Sequence, residues 1–410
     1  MDAATTANML QTMQDQAGIP SHPLIFQILM VFTWIPHILF VNISLGAALV
    51  GLYAFTKRQD PNWQLLSEAM TKVAKVGVSL LVVLGVAPLL FTQTIYDPSW
   101  YASNVLSAAW VIGFIFTLTI GYLAWFTFYL KNHGAQAPGW IFWLGVFGLA
   151  MFLLDGFIMH VLAYQGLHPE KWLSWYTPGG HVDMSGTAIH AFELPRWGFF
   201  MAMSLTVFGA FLIAYGDYFK VRADRAPAYL DFARALGAKI AITGALLQVV
   251  LLLWWLIDVP AQVHVWTHPM TWLLAAYLFV LLAAFWLARS NNAGQGYRLL
   301  AMSIGMAALV SIFREVLRMA YLHPFNYDIL NYKVLWDIPS FALFLFTIVV
   351  VGGLMGGFII TLVYKAGRVQ GPYEADATVT KLGNGSLAST AIWVVVFIGT
   401  GIWIWLRNNG

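Results

Sequence analysis

The stretch PLIFQILMVFTWIPHILFVNISLGAALVGLYAFT, residues 23–56, runs without a single Asp, Glu, Lys or Arg. A helix crosses a bilayer with about 20 mostly apolar residues, so this stretch spans it with residues to spare and is tilted or protrudes. Eight further strong apolar stretches follow, at 76–95, 106–130, 139–164, 194–217, 238–258, 270–288, 298–321 and 338–364, with a last one at 389–406. They are long continuous runs, unlike the alternating ten-residue segments of a membrane barrel. The expectation is an all-α, polytopic membrane helix bundle of nine to ten spans.

Composition agrees. Of 410 residues, 60% are hydrophobic and only 10% charged, against about 25% charged in soluble domains. The 19 Trp and 17 Tyr are residues that favour membrane interfaces. The chain has no Cys, which removes disulfides, thiolate metal sites, cysteine-ligated iron–sulfur clusters and covalent c-type haem attachment. A net charge of +3, with scattered basic residues, gives no footprint for nucleic acid. No Walker A loop, dinucleotide fingerprint, His-Glu-x-x-His or nucleophile elbow occurs, so nucleotide hydrolysis and soluble-type nucleophilic catalysis are not expected.

Lys and Arg orient the bundle. With the N-terminus outside, fifteen of the 21 fall on the cytoplasmic side, among them Lys57, Arg58, Lys72, Lys75, Lys131, Arg222, Arg225, Lys365 and Arg368, as the positive-inside rule prefers. The outer connections (96–103, 165–193, 258–269 and 323–339) are rich in Trp, Tyr, His and Pro, which places the chemistry at the outer face. The expected location is a bacterial plasma membrane, multi-pass.

Polar residues inside spans are costly and usually functional. His37, in Trp34-Ile35-Pro36-His37, lies roughly 20 Å along the first span. It can ligate haem iron through one imidazole nitrogen or bond a carbonyl freed by Pro36. Asp155 and His160 share the fourth span but stand about 140° apart around it, so they read as separate contacts. Asp155 is a proton-relay candidate, a partner for an arginine, or a buried acid satisfied by hydroxyls; His160 is a cofactor ligand or an interfacial histidine. His190, just before the fifth span, can reach a cofactor edge, whereas His181 beside Gly179 and Gly180 reads as a solvated loop residue. His264 and His268 lie between Pro260 and Pro269, which leaves no helix for a zinc pair at i, i+4. Met201 and Met203 offer thioether ligands, with packing the ordinary role in a chain of 15 Met. Gly352, Gly353, Gly356 and Gly357 read as a small-residue face for close helix packing.

The densest cluster is Phe313-Arg314-Glu315-Val-Leu-Arg318-Met-Ala-Tyr321-Leu-His323-Pro324. Arg314 and Arg318 share a face at i, i+4, and Glu315 can pair with Arg318 at i, i+3. Arginine forks match carboxylates, so the pair suits haem propionates or a quinone carbonyl; the plainer reading is a salt-bridge knot with snorkelling stems.

Read in order, these features resemble subunit I of the cytochrome bd quinol oxidase family. The resemblance rests on Pro36-His-Ile-Leu-Phe-Val-Asn-Ile-Ser-Leu-Gly46, on Gly85-Val-Ala-Pro88-Leu-Leu-Phe91 running to Trp100, on Tyr164-Gln-Gly-Leu-His168-Pro169, and on Phe313-Arg314-Glu-Val-Leu-Arg318, spread over most of 22–364. It implies that His37 ligates a haem and that Arg314 stands where the family carries its Gly-Arg-Gln-Pro-Trp motif. Four departures accompany it. The third span has no Glu, Phe200 stands near the place of the low-spin haem histidine, Ser311 or a neighbour replaces a family Glu, and 258–269 is too short for the family's quinol loop.

The resulting expectation is an integral electron-transfer subunit of a respiratory complex. It would bind b-type haem and/or quinone near the outer face through His37, His160, His190, Arg314 and Arg318. It would exchange electrons with a periplasmic c-type cytochrome alongside other membrane subunits. A divergent bd-type terminal oxidase is the alternative from the same family, and a haem-free membrane anchor or transporter the alternative from another class. The expected organisation is an outer segment at 1–22, a nine-helix redox domain at 23–364, a cytoplasmic loop at 365–388 and a C-terminal span at 389–410.

Overall fold

The computed structural model describes residues 1–409, with the side chains of residues 1–408. Ten helices among the described residues are long and apolar enough to cross a membrane, and the chain is a multi-pass membrane protein. A short helix α1 (Ala3–Met13) precedes the spans α2 (Pro23–Thr56) and α3 (Pro61–Ile95). Then come α4 (Asp97–Leu106), the spans α5 (Ala108–Lys131) and α6 (Ile141–Gln165), and one turn and a half of helix, α7 (Trp172–Tyr176). The remaining elements are α8 (Leu194–Phe219), α9 (Pro227–Asp258), α10 (Pro269–Ala288), α11 (Gly296–Leu322), α12 (Ile338–Leu345), α13 (Gly353–Ala366) and α14 (Ala377–Asn409). A π-helical stretch, Phe346–Gly352, joins α12 to α13 into one span.

Helices outrun their apolar stretches where caps and one-sided burial continue them. The second span starts at Pro61, fifteen residues before the apolar run, because the Asp60 side chain accepts from the Asn62 and Trp63 N–H groups and proline suits the first turn. The sixth starts at Pro227 rather than 238, since Tyr229, Leu230, Ala233 and Gly237 form a buried stripe. The expected loop 365–388 is helical from Ala377, where Asp376 accepts from the Thr378 and Val379 N–H groups.

By their contacts the residues fall into two units, Met1–Ala17 with Pro23–Asp217 and Ala228–Tyr332, and Gly18–His22 with Tyr218–Pro227 and Lys333–Gly410. The ninth expected span therefore groups with the tenth. In the larger unit α8 is the most buried span, and it meets α9 along glycines. A Cβ on Gly209 would stand 2.4 Å from the Ala241 nitrogen, and one on Gly237 would stand 2.7 Å from the Gly209 carbonyl. The glycines of the ninth span do no such work: Gly353 and Gly356 face open space. The close-packing role expected for that span falls instead to α8 and α9, where Gly209 and Gly216, and Gly237 and Gly244, recur after seven residues and so share a helix face.

At the end of the bundle that carries the N-terminus, Leu10 of α1 packs with Leu106, Trp172 and Phe325. In the smaller unit, Ile19 and Lys333 to Leu335 pair by two backbone bonds of 2.8 Å. Gly18 makes that approach with φ +87°, a conformation and a spacing that exclude a side chain.

Candidate functional site

His37 sits on α2 against α3. Its Nδ1 lies 2.9 Å from the Leu81 carbonyl oxygen, so Nδ1 carries the proton and Nε2 keeps a lone pair. Nε2 makes no hydrogen bond among the described residues. The bond is not made to the carbonyl that Pro36 frees on its own helix, which was the plainer reading of this residue. Gly85 makes room for the ring: a Cβ there would be 2.8 Å from Cε1 and 2.9 Å from Nδ1. One turn along α2 from His37, toward the N-terminal end, the buried Trp34 ring carries the Arg314 guanidinium at 4.3 Å.

The two arginines read as a pair are used differently. Arg318 is ion-paired with Glu315 at 3.1 Å and lies over the Tyr96 ring at 4.6 Å. Glu315 also accepts from the Tyr96 hydroxyl at 2.5 Å and from Gln27 at 2.9 Å. Arg314 has no carboxylate within ion-pair distance among the described residues, and its Nε is buried without a hydrogen-bond partner. The cation that joins it is Arg196 on α8, which is 5% exposed, with Nη1 likewise unpartnered. Arg196, Arg314 and Arg318 line one small cavity with Glu193, Trp255 and Tyr321.

Glu193, just before α8, is 6% exposed. Burial pushes its carboxyl up to about 7, against the pull of Arg196. The protonated form is therefore the one the fold favours. In the unfolded chain the group ionises near 4.5, so the folded state holds more protons between about pH 4.5 and 7 and loses stability as pH rises through that window. The melting temperature in detergent is expected to fall from pH 5 to pH 8, and Glu193→Gln to flatten that slope. An equal slope in the variant would place the titration elsewhere.

The other expected site residues lie apart. His160 accepts the Glu193 backbone N–H at its Nε2, 3.1 Å away. That lone pair is used here and Nδ1 then carries the proton, so the ring makes a helix-entry contact at the start of α8. His190, in the connection before α8, stacks on Trp175 at 5.3 Å, with its backbone N–H bonded to Gln165. Asp155 takes the Thr117 hydroxyl at 2.5 Å and meets no arginine; its Oδ2 is buried without a partner. His168 bonds Glu170 and packs on Tyr164. His264 lies between two 3-10 turns and His268 follows the second and caps α10, and no group of three metal-ligating side chains occurs among the described residues.

Arg196, Glu193 and Tyr96 are the site residues that the reading of the sequence passed over. The Glu-x-x-Arg spacing at the start of the fifth span was the available signal, since it puts both groups on one face of the first turn.

No family model and no curated protein sequence matches this chain. Among solved structures, the chain is similar to one described as the structure of bd oxidase from Geobacillus thermodenitrificans, with a TM-score of 0.62 at 12% identity. The match covers 84% of this chain and 98% of that one. The fold is that of a bd oxidase. At such low identity the bd fold tells nothing of ligands, and the departures stand out within it. Phe200 packs edge-on to Trp34 at 6.1 Å and against Trp255 at 6.2 Å, and α5 carries no carboxylate at all.

Proposed function

We propose that the chain is an electron-transfer subunit of a membrane respiratory complex that holds b-type haem through His37. The observation that carries this reading is the His37 ring, which is fixed by Leu81 and presents an unshared Nε2 lone pair inside a membrane span. A histidine held by a carbonyl at one nitrogen is oriented and made more basic at the other. The surroundings fit the group: Gly85 clears the ring, and Arg314, unpartnered at Nε beside Trp34, suits a propionate. A bound haem would supply one-electron redox chemistry, while the protein sets its ligation and field. His37 would ligate the iron, and Arg314 would favour the more negative charge state. Glu315, Tyr96 and Gln27 would keep Arg318 in place beside it.

A quinone is the second reading, with Arg314 donating to a carbonyl oxygen. The N-terminal end would face outward in a bacterial plasma membrane. Arg314 stands roughly 12 Å from the end of α11, which is near enough for exchange with a periplasmic c-type cytochrome alongside other membrane subunits.

The test is a redox titration of the purified protein. Arg314→Gln should keep the haem and shift its midpoint potential by tens of millivolts, since about 1.4 kcal/mol corresponds to roughly 59 mV for one electron. An unchanged potential removes Arg314 from the site. Orientation is checked in this Cys-free chain by a cysteine at Ser174, which should react with an impermeant reagent from outside intact cells. Reaction only after the membrane is opened reverses the orientation.

A further inference from the structure

We propose that the cavity between α6, α8, α9 and α11 is a binding site for one carboxylate group, clamped by Arg196 and Arg314 from two different helices. The argument starts from charge. Three guanidinium groups line the cavity, and one of them, Arg318, is answered by Glu315 at 3.1 Å. That leaves Arg196 and Arg314, each with a buried nitrogen that has no hydrogen-bond partner. The only carboxylate lining the cavity is Glu193, which forms no ion pair and is about half neutral near pH 7. Asp258, the next acid nearby, is exposed and screened by solvent.

Two desolvated cations facing one partly neutral acid are held at a cost of several kcal/mol per ion unless an anion completes the set. Size and shape then select the anion. The cavity has room of about 20 Å3, enough for one or two water-sized groups and far too little for a macrocycle or a quinone ring. Its other walls are Trp255, Tyr321 and Leu317, which favour a flat group with an apolar tail. A carboxylate matches paired guanidinium donors and has that shape. The protonated Glu193 carboxyl would donate the third hydrogen bond to it. The group comes either from the end of a larger cofactor bound next to the cavity or from a free carboxylate.

This inference shares Arg314 with the haem reading but rests on the charge balance of the cavity, not on His37. The experiment is a thermal-shift titration of the full-length protein in detergent with sodium acetate and sodium propionate, against sodium chloride at equal ionic strength. It is run on protein prepared with and without haem supply. Carboxylates should raise the melting temperature of haem-depleted protein more than chloride does. Arg196→Gln and Arg314→Gln should each weaken the apparent affinity by about tenfold or more, and Arg318→Gln should not. Loss of the effect in haem-loaded protein identifies a carboxylate of the cofactor as the occupant; persistence identifies a free one. A protein that takes up no haem yet still binds acetate through these arginines sinks the haem reading and leaves the clamp standing. The clamp itself is overturned if chloride serves as well as acetate, or if neither arginine variant changes the titration. Where a variant melts too low to titrate, the antisymmetric carboxylate stretch of 13C-labelled acetate is followed instead, and it should shift on binding wild type and Arg318→Gln only.

Discussion

His37→Ala is expected to insert and fold but to lose the haem signal. The structural loss is small. The ring is half-buried, and its one protein contact through hydrogen bonding is the Leu81 carbonyl, a bond worth about 1 kcal/mol net. The functional loss should be complete, because His160 has its Nε2 lone pair engaged by the Glu193 N–H and His190 is stacked on Trp175, and neither is expected to stand in. Haem content per protein should fall to background while the melting temperature moves by only a few degrees. Imidazole added during haem loading of His37→Gly should restore part of the absorption, because the variant vacates the ring's own volume against Gly85. A variant that keeps the wild-type spectrum would reduce His37 to a helix-packing residue.

Glu315→Gln is expected to be the most destabilising single change of a polar residue. Glu315 is 5% exposed, accepts from Tyr96 at 2.5 Å and from Gln27 at 2.9 Å, and is ion-paired with Arg318 on its own helix at 3.1 Å. The amide keeps the volume but withdraws the charge, leaving the half-buried Arg318 beside Arg314 and Arg196 with nothing to answer it. Breaking such a pair from one side costs about 3–5 kcal/mol. The double variant Glu315→Gln, Arg318→Gln removes both charges, so it should recover much of the loss, as measured by thermal unfolding in detergent. If single and double variants melt together, the ion pair is not what holds α11 against α2 and α3.

Both predictions depend on residues of unequal legibility. The spans could be read directly, because an apolar run of 20 residues has few other uses. Their ends could not, because Asp60, Pro61 and Asp376 extend helices through polar sequence that a hydropathy reading leaves as loop. The site shows the same division. His37 and Arg314 are conspicuous as polar residues in apolar runs. Arg196 is hidden at the start of a span, where an arginine looks ordinary, and its meaning appears only when α8 is packed beside α11, 118 positions away in the chain. The i, i+4 spacing made Arg314 and Arg318 look like one fork. Tertiary contacts with Trp34 for Arg314 and with Tyr96 for Arg318, added to the local Glu315–Arg318 pair, part them. The backbone bond at His160 was not legible for a related reason: position in a span does not tell which backbone groups claim a ring nitrogen. The bd fold itself survives at 12% identity because it needs only the spacing of apolar runs and a few close approaches, whereas a cofactor site needs particular side chains.

The account stands most directly on whether this chain binds haem at all. A pyridine haemochrome spectrum of the purified wild-type protein, with iron measured on the same sample, decides it. The account predicts a b-type spectrum and at least one haem iron per chain, lost in His37→Ala. A protein purified from haem-sufficient cells with neither haem nor iron would contradict it.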